Sequence, residues 1–161
     1  MTPLPDVTLR PAADDDADYV DSLVLADALV ELAALPDPPR SHLARMQVAA
    51  RREGHSAAWP GAVDHLVLLD GLRVGRLLLH RGDAAVHVVD LRLEADERRR
   101  GVGTSALGQV CADAALAGVA VTLSVRAGTP TEQWYRRLGF VDAGSADPQA
   151  ADVDLVRLPG P

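Results

Sequence analysis

Three arginines run directly into a Gly-Val-Gly triplet in the stretch "RRRGVGTSAL", Arg98 to Leu107, and an apolar pattern of helical spacing follows. The first backbone N–H groups of a helix have no internal partner and carry the positive end of the helix dipole. Glycines at 101 and 103 let an anion approach the backbone without meeting a Cβ. Arginines beside them add charge-assisted hydrogen bonds. Residue types and spacing together describe a cradle for a pyrophosphate group. A charged loop that merely solvates a helix start is the plainer alternative.

Other phosphate motifs do not fit. The Gly-Lys-Ser/Thr end of a Walker loop is missing. Ala106 stands where the dinucleotide fingerprint places its third glycine, and several strand-like runs precede the stretch. All sixteen basic residues are arginine, so no lysine is present for a Schiff base or for phosphate binding. His42, His55, His65 and His80 lack metal-ligand spacing and read as surface or loop residues, so no metal is expected. The run Asp14–Asp16 reads as the solvated acidic first turn of a helix. Cys111 reads as a small core residue, Trp134 as packing, and the pairs Arg51-Arg52 and Arg136-Arg137 as solvated faces.

The elements that must position the cradle follow from periodicity. With 161 residues, one domain is expected, and a formal net charge of −7 argues against a general nucleic-acid surface. The lone cysteine excludes an internal disulfide. The N-terminus has no signal-peptide pattern, and no apolar run approaches the ~20 residues of a membrane span. The expected setting is the cytoplasm. "VTLRPA" reads as a first strand and residues 13–35 as a helix, with Tyr19, Leu23, Ala26, Val30 and Ala33 on its apolar face. "RSHLARMQVAARRE" reads as a second helix, capped near Ser41 and ended by Gly54, with "GHSAAWPGAVD" as a loop. Three β-rich runs between His65 and Glu94 read as an antiparallel meander. A helix from Gly101, a buried strand "VAVTLSV", a short helix "PTEQWYRRLGF" ending at Gly139 and a last strand "DVDLVRL" complete the pattern. Strands apolar on both faces need helices on both sides of the sheet.

Two motifs at this spacing carry a family resemblance. "RRRGVGTSAL" resembles the acetyl-CoA loop of the GCN5-related N-acetyltransferases, with Arg98, Gly101 and Gly103 at its fixed positions. About thirty residues on, "WYRRLGF" is similar to the same family's helix that carries Tyr and ends in Leu-Gly-Phe. The resemblance implies an α/β fold of the GNAT type, with a mixed, mostly antiparallel central sheet splayed in the middle and helices on both faces. It implies one domain over 1–161, with 86–141 as the acetyl-CoA-binding core and 12–60 as acceptor-side helices.

The resemblance further implies acetyl-CoA as cosubstrate. Its pyrophosphate would lie on the backbone from Arg99 through Arg100, Gly101, Val102 and Gly103 to Thr104. Its pantetheine would run along Leu91, Arg92 and Leu93, with a strand N–H there polarising the thioester. Tyr135 becomes the candidate acid for the leaving thiolate. Thr129 stands where the family often places an asparagine that bonds the cofactor. For a general base, Asp90 is favoured. Glu94, a structural role for Asp90 and a water relay stay open, Ser124 is no base, and His87 has the opposite strand parity unless a bulge intervenes. The acceptor would be a primary amine of a small molecule or peptide, held around Arg45, Gln47, Glu53 and His55. The resemblance also admits a homodimer. A non-catalytic acyl-CoA-binding module and, further off, a nucleotide-binding α/β domain are the alternatives.

Overall fold

The computed structural model describes residues 3–144 and 150–160. Seven strands form one sheet: β1 (Val7–Pro11), β2 (Val63–Leu69), β3 (Leu72–Arg81), β4 (Ala85–Leu93), β5 (Ala120–Arg126), β6 (Val141–Asp142) and β7 (Asp152–Arg157). Their order is β1-β2-β3-β4-β5-β7-β6, and every neighbouring pair is antiparallel except β4 and β5. The two-residue strand β6 is the one strand that periodicity does not reveal. The β2–β3 hairpin turns on Asp70 and Gly71, both at positive φ (50° and 79°), the conformation a two-residue turn needs to match strand twist.

Four helices cover the sheet: α1 (Ala17–Glu31), α2 (Pro39–Ala58), α3 (Val102–Leu116) and α4 (Pro130–Arg137). One face is a continuous apolar core. There α3 contributes Val102, Ala106, Leu107, Val110, Cys111 and Ala114, with Tyr135 and Phe140 beside Val67, Leu77, Leu79, Val121, Leu123 and Leu155. The other face carries α1 and α2, whose buried Val20, Leu23, Val24, Ala28 and Ala44 stand apart from that core.

The α1/α2 layer departs from the sequence expectations at three points. The buried stripe of α1 is Val20, Leu23, Val24 and Ala28, whereas Ala26 and Ala33 are exposed and Val30 is 75% exposed. Tyr19 leaves the seam, its hydroxyl donating to Glu94 at 2.9 Å and its ring lying under Arg73. Asp16 is not solvated but 2% exposed. It accepts from Arg10 at 2.7 and 3.2 Å, from Arg73 at 3.3 Å and from the Ala13 N–H at 2.9 Å. The hydrogen bond from Arg10 leads in lowering its carboxyl pKa to about 2. Finally, α2 runs through Gly54 to Ala58, and Ser41 is not its cap. The Ser41 N–H and hydroxyl instead donate to Asp37, at 3.2 and 2.5 Å. An exposed glycine costs a helix interior only about 1 kcal/mol and does not by itself end one. Just past α2, Trp59 stacks on His87 with ring centroids 3.8 Å apart and the planes 15° from parallel.

Among the described residues no helix is long and apolar enough to cross a membrane, and no group of three His, Cys, Asp or Glu side chains is placed to hold a metal ion.

Candidate active site

The sheet opens where β4 leaves β5. The two strands pair only from Ala85–Ala120 to Val88–Leu123. Beyond that point Val89–Leu93 and Ser124–Arg126 diverge, and the backbone groups on their facing edges lose each other as partners. On its other side β4 has a bulge. Leu79 pairs with Val88 and Leu78 with Asp90, so Val89 is an extra residue. The bulge switches parity. Val86 and Val88 face α3 before it, and Leu91 and Leu93 do so after it. His87 and Asp90 therefore share the α1/α2 face, which simple alternation denied them.

A cleft of about 550 Å³ lies in this opening. Its walls include Leu91, Arg92 and Leu93 of β4, Arg98, Arg99, Gly101, Gly103 and Thr104, and Pro130, Thr131, Trp134 and Arg137 of α4. Gly101 takes φ +84° as the residue before α3, a left-handed conformation that makes the turn, and a Cβ there would meet Pro5 at 3.0 Å. No side chain caps the helix, and the first intrahelical acceptor bond is from the Ser105 N–H to the Gly101 carbonyl at 2.9 Å. The N–H groups of Val102, Gly103 and Thr104 thus remain free of intrahelical partners at the cleft.

The three arginines of the motif do different things. Arg98 donates to the Leu93 carbonyl at 3.0 Å and to Asp27 at 2.6 Å, so it ties the loop to β4 and α1. Arg100 pairs with Glu97 at 2.8 Å and does not line the cleft. Arg99, held at φ +59°, lines the cleft and has no ion pair among the described residues. Arg137 is the same in both respects, although its place in the Arg136-Arg137 pair suggested only a solvated face. Four arginines against two aspartates, Asp27 and Asp90, make the cleft cationic.

Asp27 is a cleft residue that sequence reasoning missed. Its carboxylate takes Arg92 at 2.6 Å on one oxygen and Arg98 at 2.6 Å on the other. No local pattern marks it, because its partners lie 65 and 71 residues away. Trp134 packs against the core as expected and is also a cleft wall, its indole N–H donating to the Thr104 hydroxyl at 3.1 Å.

The remaining sequence candidates are distributed as follows. The Val102 side chain is buried in the core, 1% exposed, so only its backbone can serve the cleft. Thr129 does not line the cleft. Its hydroxyl accepts from the Glu132 N–H at 3.2 Å and donates to the Arg126 carbonyl at 2.8 Å, so it is the N-cap of α4. Tyr135 is 7% exposed, with its hydroxyl in no hydrogen bond among the described residues. Burial first, and the Asp90 charge second, push it up to about 12, so it stays protonated and keeps a proton to donate. Asp90 borders the cleft but is clamped, 2.8 Å from Arg92 and 3.4 Å from Arg76. Glu94 is exposed and engaged by Tyr19. Ser124 is bonded to Asp154.

A second cavity of about 410 Å³ lies on the α1/α2 face, between those helices and β2–β3. Its lining includes Val20 and Asp21, Arg51, Arg52, His55 and Trp59, Asp64, Arg76 and Leu78. Of the four acceptor-side residues singled out from sequence, only His55 lines it; Arg45 and Glu53 are exposed, and Gln47 lies apart. Arg51 and Arg52, expected on a solvated face, are part of the lining, and Arg52 pairs with Asp21. Arg76 is 5% exposed and joins the cavities. It lies 2.7 Å from Asp64 on one side and 3.4 Å from the cleft's Asp90 on the other.

The family model described as "Acetyltransferase (GNAT) family" matches residues 27–140. No curated protein matches the chain in sequence. Among solved structures, the PaiA N-acetyltransferase of Thermoplasma acidophilum in complex with coenzyme A superposes with a TM-score of 0.67 at 12% identity, over 95% of this chain and 99% of that one. An acetyltransferase of Thermus thermophilus gives 0.65 at 21% identity, over 94% and 96%. A GNAT-family acetyltransferase of Elizabethkingia anophelis with acetyl-CoA bound gives 0.62 at 12% identity, over 94% and 97%. These structures are similar in fold along almost their whole lengths.

Proposed function

The chain belongs to the GNAT family of acetyltransferases, and from that premise we propose that it moves an acetyl group from acetyl-CoA to a primary amine by direct attack in a ternary complex. One observation carries the reading: the uncapped start of α3, with Gly101, Gly103 and Arg99, opens into the same cleft as the edge of β4 that β5 leaves. A helix start of this kind favours a pyrophosphate, and an unpaired strand edge favours an extended amide-bearing chain. Two structural relatives hold coenzyme A or acetyl-CoA, which supports the same ligand here.

In this reading the pyrophosphate takes the N–H groups of Val102, Gly103 and Thr104. Arg99 and Arg137 are placed to meet further phosphate charge, because neither is neutralised by a carboxylate among the described residues. Arg98 and Arg92, joined by Asp27, hold the loop against the strand. The pantetheine follows Leu91–Leu93, and a free N–H of β4 near the bulge polarises the thioester carbonyl. The amine nitrogen attacks the carbonyl carbon, a C–N bond forms and the C–S bond breaks. Tyr135, kept protonated by burial, donates to the departing thiolate. Thr129 has no part in binding, since its hydroxyl is committed to the cap.

Calorimetric titration with acetyl-CoA, followed by a thiol-release assay over a panel of amines, tests the reading. Wild type should bind, and Gly101→Glu should not. Gly103→Glu is a companion variant without backbone strain, since a Cβ there meets only ordinary contacts at 3.5 Å with Leu93 and Trp134. Wild type that ignores acetyl-CoA at millimolar concentration would sink the proposal. Binding without release of thiol for any amine would favour an acyl-CoA-binding module instead.

A further inference from the structure

A primary amine reaches the enzyme mostly as its ammonium ion, so the reaction needs a base. The side chains nearest the cleft are poorly placed for that work. Asp90 is neutralised by Arg76 and Arg92. Glu94 faces solvent and holds Tyr19. His87 is within hydrogen-bond distance of Thr122, at 2.9 Å, and is covered by the Trp59 ring.

His55 differs from all three. It lies in the last turn of α2, one turn before Trp59, whose stacking on His87 seats that end of the helix over β4. Its ring lines the 410 Å³ cavity and makes no hydrogen bond among the described residues. The cavity's floor is Arg76, which touches Asp90, and Asp90 borders the acetyl-CoA cleft. His55 therefore lines a cavity that the Arg76–Asp90 pair joins to the cleft. We propose that the 410 Å³ cavity holds a small primary amine and that His55 is the general base that deprotonates it, a proposal that rests on the acetyl-transfer reading above.

The charges around His55 suit the role. Burial lowers its pKa below the ordinary 6.5, and the Asp90 charge opposes that shift. Arg51 on its own helix, Arg76 on β3 and Arg92 on β4 reinforce the lowering. Across the cavity stand Asp21 of α1 and Asp64 of β2, each beside an arginine. The imidazole is consequently mostly neutral at pH 7 and able to accept a proton.

The protons balance. His55 takes one from the ammonium, and the amine attacks. Tyr135 gives one to the CoA thiolate and recovers one, through water, from the new amide nitrogen. The imidazolium then returns its proton to solvent. A cavity of this volume suits a small molecule.

The test compares wild type with His55→Gln, using benzylamine and hydroxylamine as acceptors and thiol release as the readout across pH 5.5–9. Benzylamine is an ammonium at neutral pH, whereas hydroxylamine is already neutral. The proposal expects His55→Gln to lose about a hundredfold in kcat/KM for benzylamine at pH 7.5, and much less for hydroxylamine. The limb of the wild-type profile that falls below pH 6.5 should vanish in the variant, with acetyl-CoA affinity by calorimetry unchanged. Equal losses with both amines, or a variant within threefold of wild type, would overturn the assignment of the base. Wild type that binds acetyl-CoA but uses neither amine would overturn the cavity as an amine site. Wild type that fails to bind acetyl-CoA would instead sink the acetyl-transfer reading beneath it.

Discussion

The two cavities are built in opposite ways. The cleft at the start of α3 draws most of its polar wall from Asp90–Arg98 and the residues just after it, one strand end, one turn and one helix start. The 410 Å³ cavity is walled by side chains from α1, α2, β2 and β3 rather than by one local backbone turn. Its charges are paired across strands, Asp64 with Arg76 and Arg76 with Asp90. A ligand shared by many enzymes can be held by a local backbone shape that needs only glycines and a helix. A ligand particular to one enzyme is held by side chains that meet only after folding. The salt bridges Asp64–Arg76–Asp90–Arg92–Asp27–Arg98 form an alternating chain that touches both.

The largest expected effect separates the cavities outright. Gly101→Glu puts a carboxylate against the phosphates, and like charges at such range cost several kcal/mol. Acetyl-CoA affinity measured by calorimetry should fall at least about a hundredfold, while His55→Gln should leave it intact. Equal losses from both variants would erase the contrast between the sites.

Tyr135→Phe should lower kcat about a hundredfold, within the range for a lost general acid. Acetyl-CoA affinity should stay unchanged, because the hydroxyl binds nothing among the described residues. A KM effect with normal kcat would make Tyr135 a packing residue.

Asp27→Asn probes the joint between the sites. It leaves Arg98 and Arg92 without their shared carboxylate, and acetyl-CoA should bind about two- to fivefold more weakly, the scale of a partly exposed ion pair. The measurement is the calorimetric Kd, and tighter binding would mean that Asp27 competes with the phosphates.

The smallest effect concerns pH. Asp16 sits just before α1, beside the 410 Å³ cavity, with its pKa lowered from the ordinary 3.8 to about 2, chiefly by the hydrogen bond from Arg10. A lowered folded pKa contributes stability that is fully present above the unfolded value and is lost as pH falls toward the folded one. The thermal midpoint should therefore drop between about pH 4 and pH 2, and the slope should be shallower in Asp16→Asn. Identical slopes would remove Asp16 as the cause.

The sequence by itself determined the elements and the cofactor side. The meander, the helix after Gly101, the short helix ending at Gly139 and the antiparallel sheet with helices on both faces follow from periodicity and from turn glycines, which act over a few residues. The cradle was legible for the same reason: Arg98, Gly101 and Gly103 are neighbours in the chain.

Tertiary structure alone decided the rest. The Val89 bulge placed His87 and Asp90 on one face, and no spacing in the strand announces an extra residue. The tertiary structure assigned Asp27 to Arg98, buried Asp16, carried α2 through Gly54 and brought Arg99 and Arg137 to one cleft. Each of these outcomes depends on which charges meet across tens of residues and on how much water they lose there. Such energies belong to the folded arrangement, and a sequence read segment by segment does not contain them.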